Sequence, residues 1–170
     1  NYHVDVMTED AARFIKEVVS ESAFVLGHSM GARIALHLAV RHGDLTRKIA
    51  LEDPPLGYGP SETIRSTFKY WLELTRKHLS EEALMRELAD YNDSEDLEKF
   101  RYKAQTLRQM DPEVLEVALN GGLWAGTVLS EVFAQVRCPA ILFQADTESG
   151  GIIDEDLSKF TGLKASNWIW

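Results

Sequence analysis

The sequence predicts an α/β protein: a mostly parallel sheet flanked by helices, with a helical segment inserted into it. Three observations carry this expectation. Short apolar runs alternate with helical stripes near both ends of the chain. Between about Leu56 and Val136 the alternation stops and only helical stripes occur. A small-residue turn, Gly27-His28-Ser29-Met30-Gly31, lies between an apolar strand and an apolar helix.

The elements follow in order. Ala11, Ala12, Phe14, Ile15, Val18 and Val19 form a helical stripe over residues 8–20, with Thr8-Glu9-Asp10 as its start signal. Ala23-Phe24-Val25-Leu26 is apolar throughout, which suits a strand buried on both faces of a parallel sheet. From Ala32 to Arg41 the chain is apolar nearly all round, the mark of a buried helix, and Gly43 stands where a left-handed cap is wanted. Residues 47–52 read as the next strand, ended by Asp53-Pro54-Pro55. Four helices are then expected, on the stripes Ile64-Phe68-Trp71-Leu72, Leu84-Met85-Leu88 and Leu97-Phe100-Ala104-Leu107-Met110, and from Asp111-Pro112-Glu113. In the last of these Asp caps free N–H groups, Pro tolerates the first helical position, and Asn120-Gly121-Gly122 closes the helix. A strand over 139–145, a helix over 154–160 and a strand over 165–170 complete the order. The predicted division is a core of 1–55 and 137–170 with a helical cap over 56–136.

Composition narrows the function. The 170 residues are 45% apolar and 26% charged, the balance of an ordinary globular chain. A formal charge of −9 repels phosphate backbones and disfavours nucleic acid as a partner. No apolar run approaches the ~20 residues that cross a bilayer. One cysteine, Cys138, and an Asn1–Met7 segment without the pattern of a secretory signal give a reducing, cytoplasmic compartment as the default. Asn rather than Met at position 1, and an apolar strand that stops at Trp170, lead to the expectation that this is an internal piece of a longer protein.

The serine turn carries the chemistry. Small residues at Gly27 and Gly31 are expected because a side chain at either would collide with a neighbouring element. The tight turn lifts the Ser29 hydroxyl above the carboxyl edge of the sheet. The Met30 N–H, at the positive end of the following helix, then faces a developing oxyanion. Ser29 is the candidate nucleophile. No phosphate-binding glycine loop and no zinc-spaced Cys/His cluster occurs, so neither cofactor nor metal is expected.

Phe24 to Ala32 around the serine turn, with Leu51-Glu52-Asp53-Pro54-Pro55 after the next strand and Arg137-Cys138-Pro139 to Asp146, resembles the α/β-hydrolase superfamily. The resemblance implies a partial α/β-hydrolase-type sheet with its early strands missing, and a helical cap in place of the insertion. It also implies a triad in the order serine, acid, histidine, acting on esters and related carbonyl substrates. Asp146, directly after a strand and before a flexible loop, is the first candidate for the acid. Glu148, two residues on, is the alternate, and Asp53, also at a strand end, is the third.

No histidine follows His78. His3, His28, His37, His42 and His78 are all expected to be surface or packing residues, so the base is expected beyond Trp170. The second oxyanion donor is expected ahead of Asn1. The implied activity is hydrolysis of small or medium carboxylic esters held under apolar cap aromatics such as Phe68, Trp71 and Trp124. A same-fold lyase or C–C bond hydrolase, and a non-catalytic binding or receptor protein, remain alternatives.

Overall fold

In the computed structural model of the chain, residues 2–55 and 61–146 are described, together with the backbone of 168–169. Two units are distinct, Asn1–Tyr58 with Leu123–Trp170, and Gly59–Gly122.

The first unit is built on a parallel sheet of β1 (Ala23–His28), β2 (Thr46–Glu52), β3 (Ala140–Phe143) and β4 (Trp168–Ile169), in that spatial order. Alternate side chains divide its faces. Ile49, Leu51, Ala140 and Leu142 are buried against Ala32, Ala35, Leu36 and Ala39 of α2 (Met30–Arg41), and Val25 packs on the same cluster. The helix Leu129–Gln135 adds Leu129 and Phe133 to this core, so it belongs to the sheet unit although it lies within the span 56–136 expected for the cap. Phe24 and Leu26 point the other way and are 66% and 69% exposed. Among the described residues β1 is therefore buried on one face, not two, because α2 and Leu129–Gln135 pack on the same side.

The first helix, α1 (Val4–Phe14), starts four residues earlier than expected and runs on as a π-helical turn over Ile15–Val19. Its start is set by His3 rather than by Thr8. The imidazole Nδ1 accepts from the Asp5 N–H at 3.2 Å while Nε2 bonds the Ala125 carbonyl at 3.0 Å. Thr8 lies inside the helix, and its buried hydroxyl donates to the Val4 carbonyl. Gly43 also departs from expectation. His42 closes α2, and Gly43 opens a 3-10 turn without the left-handed backbone of a cap.

The second unit holds the four expected helices: α3 (Glu62–Arg76), α4 (Glu81–Tyr91), α5 (Arg101–Gln109) and α6 (Pro112–Leu119). Leu74, Leu84, Met85, Leu88, Ala104 and Leu107 form its core. Asp111 caps α6 as the sequence predicts, accepting from the Glu113 N–H at 2.9 Å, and Gly121 takes the left-handed conformation (φ 71°) after the helix. The expected helix over 154–160 lies outside the described residues.

Candidate active site

Two strand ends meet at the carboxyl edge of the sheet. The register pairs His28 with Glu52, which brings Ser29 and Asp53 alongside each other at the ends of β1 and β2. The ladder continues past both strands. The Ser29 N–H donates to the Glu52 carbonyl at 2.8 Å, and the Asp53 N–H donates to the Phe143 carbonyl at 2.8 Å.

Both residues are bent out of ordinary geometry. Ser29 has φ 51° and ψ −119°, and Asp53 has φ 45°. A non-glycine residue in such a region costs on the order of 1–3 kcal/mol and persists where the surroundings over-determine it. For Ser29 the surroundings are those the sequence predicts on one side of the turn only. A Cβ on Gly27 would run into the backbone of Gly31 and lie 2.6 Å from the Ala32 nitrogen. A Cβ on Gly31 would meet nothing within 4 Å among the described residues, contrary to expectation. The turn brings the Gly31 backbone onto Gly27, so the steric demand falls at position 27.

Ser29 stands at the N-cap of α2 without a side-chain cap bond, and its half-buried hydroxyl is not used to hold the helix. Its carbonyl accepts from Ala32 at 3.0 Å. The N–H groups of Met30 and Gly31 precede the first intrahelical bond and are unsatisfied within the helix. The arrangement is suited to holding negative charge next to the serine.

The candidate acids are placed very differently. Asp53 is 5% exposed, beside the serine turn. Asp146 is exposed, three residues beyond β3, and Glu148 lies outside the described residues. Among the described residues none of the five histidines hydrogen-bonds Ser29. His3 caps α1 and is tied to Ala125, and His42 bonds Glu9 at 3.0 Å. His37 is buried against α1. Burial, reinforced by the Arg33 and Arg41 charges, pushes it down to about 4. No group of three metal-ligating side chains occurs among the described residues.

One buried group escaped the sequence reading. Arg33, one turn after Ser29, is 1% exposed. Its Nη1 donates to the Pro55 carbonyl at 2.9 Å and its Nη2 to Thr127 Oγ1 at 3.1 Å, while the guanidinium lies 4.5 Å from the Trp124 ring centroid. An arginine set among the apolar residues of the first turns of α2 was the available signal.

A family model described as serine aminopeptidase, S33, matches residues 2–156. No curated protein matches the chain. Among solved structures, N-formylmaleamic acid deformylase from Pseudomonas putida S16 is similar at 23% identity and TM-score 0.72, over 94% of this chain and 61% of that one. E-2-(acetamidomethylene)succinate hydrolase is similar at 18% identity and TM-score 0.64, over 99% and 65%. MenH from S. aureus gives 16% identity and TM-score 0.61, over 98% and 65%. The chain thus spans less than two thirds of the length of these structures, which share its α/β-hydrolase fold.

Proposed function

Because the chain belongs to the serine aminopeptidase S33 family of α/β-hydrolases, we propose that it carries the nucleophile of a serine hydrolase, with Ser29 as nucleophile and Asp53 as acid. The observation that supports this reading is the pairing of two strained residues, Ser29 and Asp53, in register at adjacent strand ends. Backbone strain of this kind clusters where chemistry needs a fixed geometry. On the same observation the buried Asp53 is proposed as the acid in place of Asp146, the first candidate by sequence.

In this mechanism a histidine takes the Ser29 proton as Oγ attacks the acyl carbon. The Met30 N–H donates to the resulting oxyanion. The histidine then protonates the leaving alcohol or amine, and water releases the acid from Ser29 by the same steps. Asp53 fixes the imidazole and balances its transient charge. None of the five histidines of this chain is placed for the task, so the base is proposed to come from sequence beyond Trp170.

The substrate is proposed to be a small or medium carboxylic ester, recognised through apolar contacts. A second bond type has a specific observation behind it. Two of the similar structures are named for small N-acyl acids, a deformylase and an acetamidomethylene succinate hydrolase, which favours a C–N acyl bond in a small substrate. The test uses the full-length protein. Ser29→Ala abolishes both p-nitrophenyl butyrate hydrolysis and fluorophosphonate labelling and leaves the circular dichroism unchanged. Full activity in that variant would falsify the assignment. Parallel assays on an N-acyl amide and a β-diketone separate ester, amide and C–C bond cleavage.

A further inference from the structure

We infer that Arg33 is a positioning residue that holds Asp53 in its working conformation by clamping the Pro55 carbonyl. The inference rests on the reading of Asp53 as the acid.

Asp53-Pro54-Pro55 is a stiff strut. Each proline has φ locked near −65°, and Pro54 disfavours the right-handed helical region for Asp53, closing one route by which it could relax. Neither proline has an N–H, so a carbonyl is the only backbone polar group at each by which the strut can be held. At its start the Asp53 N–H is bonded to Phe143, and at its end the Pro55 carbonyl is bonded to Arg33. With both ends held and the interior torsions restricted, the left-handed Asp53 has little freedom to relax toward an ordinary backbone conformation.

The clamp is itself fixed. Arg33 lies in α2 four residues after Ser29, so the helix that begins at the nucleophile also carries the group that holds the strut. Thr127 accepts from the other terminal nitrogen, and its own hydroxyl donates to the Trp124 carbonyl at 2.7 Å. Trp124 lies against the guanidinium. A planar, always-charged group with forked donors and a stackable face suits these three contacts, and a lysine supplies only the charge and one donor at a time.

The experiment is a mutant cycle in the full-length enzyme, using p-nitrophenyl butyrate. Arg33→Met is expected to lower kcat about 10- to 100-fold with KM changed less than about threefold, because a displaced catalytic group slows turnover more than it weakens binding. Arg33→Lys is expected to fall between Met and wild type. In an Asp53→Asn background, Arg33→Met is expected to change kcat less than about twofold, since a residue acting through Asp53 has nothing further to misplace. An equal loss in both backgrounds, or an unchanged kcat in the folded single variant, overturns the role of Arg33. If Arg33→Met does not fold, Arg33→Lys decides by the same comparison. Full activity in Asp53→Asn alone overturns the acid assignment instead, so the two failures are told apart.

Discussion

The sheet unit and the helical unit treat serine at a helix N-cap in opposite ways. In the helical unit Ser61 and Ser80 adopt extended backbones, with ψ 163° and 161°, and their hydroxyls accept from the N–H groups of Ile64 and Ala83. In the sheet unit Ser29 occupies the same position on α2 with a left-handed φ and no side-chain cap bond. Buried polar groups divide likewise. Among the described residues Arg33, His37 and Asp53 are buried in the sheet unit, whereas only Thr75 is buried among polar residues of the helical unit, whose charges pair at its surface. Left-handed non-glycine residues of the helical unit, His78 and Asp93, stand just after helix ends, where that conformation terminates a helix. Those of the serine turn and the strand end beside it terminate nothing that an ordinary residue could not. Strained Ser29 and Asp53 and buried Arg33 of the sheet unit gather at one strand edge, whereas the strained residues of the helical unit end helices and its charges pair at its surface.

The strongest way to break this comparison is to exchange the two acids. Asp53→Asn is expected to lower kcat about 10³- to 10⁴-fold, as removal of a triad member does, while Asp146→Asn lowers it less than about tenfold. Steady-state kinetics on the full-length variants decide it, and the reverse ranking restores Asp146.

A smaller effect is expected from His37. Its pKa in the folded protein is about 4, against 6.5 when exposed. Well above pH 6.5 both states are neutral and the titration of His37 contributes nothing to stability. As the pH falls from 6.5 toward 4 the unfolded chain takes up a proton that the folded one refuses, and stability falls by on the order of 3 kcal/mol. Urea midpoints across this range are expected to drop less steeply in His37→Gln than in wild type. Parallel curves would mean that His37 is protonated without penalty where it stands.

The smallest difference sharpens the contrast between the caps. Ser80→Ala loses a cap bond and is expected to destabilise by ~1 kcal/mol with activity kept. Ser29→Ala has no cap bond to lose and is expected to change stability by no more than about 0.5 kcal/mol while activity vanishes. Thermal melts of the two variants check both; a Ser29 variant destabilised like Ser80 would show that its hydroxyl supports the helix after all.

Much of this was legible in the residues. Strands and helices followed from apolar runs and stripes, because burial imposes periodicity directly on sequence. Asp111-Pro112 announced its helix because a cap and a first-turn proline act within three residues. The serine turn was legible for the same reason: the approach of Gly31 onto Gly27 is local. The start of α1 was missed, since a histidine cap held by Ala125 depends on a residue far along the chain. The helix Leu129–Gln135 was not among the four expected, and its residues fell inside the span 56–136 given to the insertion.

The sequence alone determined the α/β class, the run of helices between β2 and β3 and the tight turn at Ser29, all set by short-range sterics and by the spacing of apolar side chains. It left three carboxylates, Asp146, Glu148 and Asp53, as candidate acids, because each lies at or just past a strand end and strand ends look alike in one dimension. Only the tertiary structure shows that Asp53 is buried beside the serine turn and that Asp146 is exposed. Parallel pairing of β1 with β2 brings residues 24 positions apart in sequence into register. The burial and strain that follow from that pairing are properties of the assembled sheet, and so is the guanidinium of Arg33 lying on the carbonyl of Pro55.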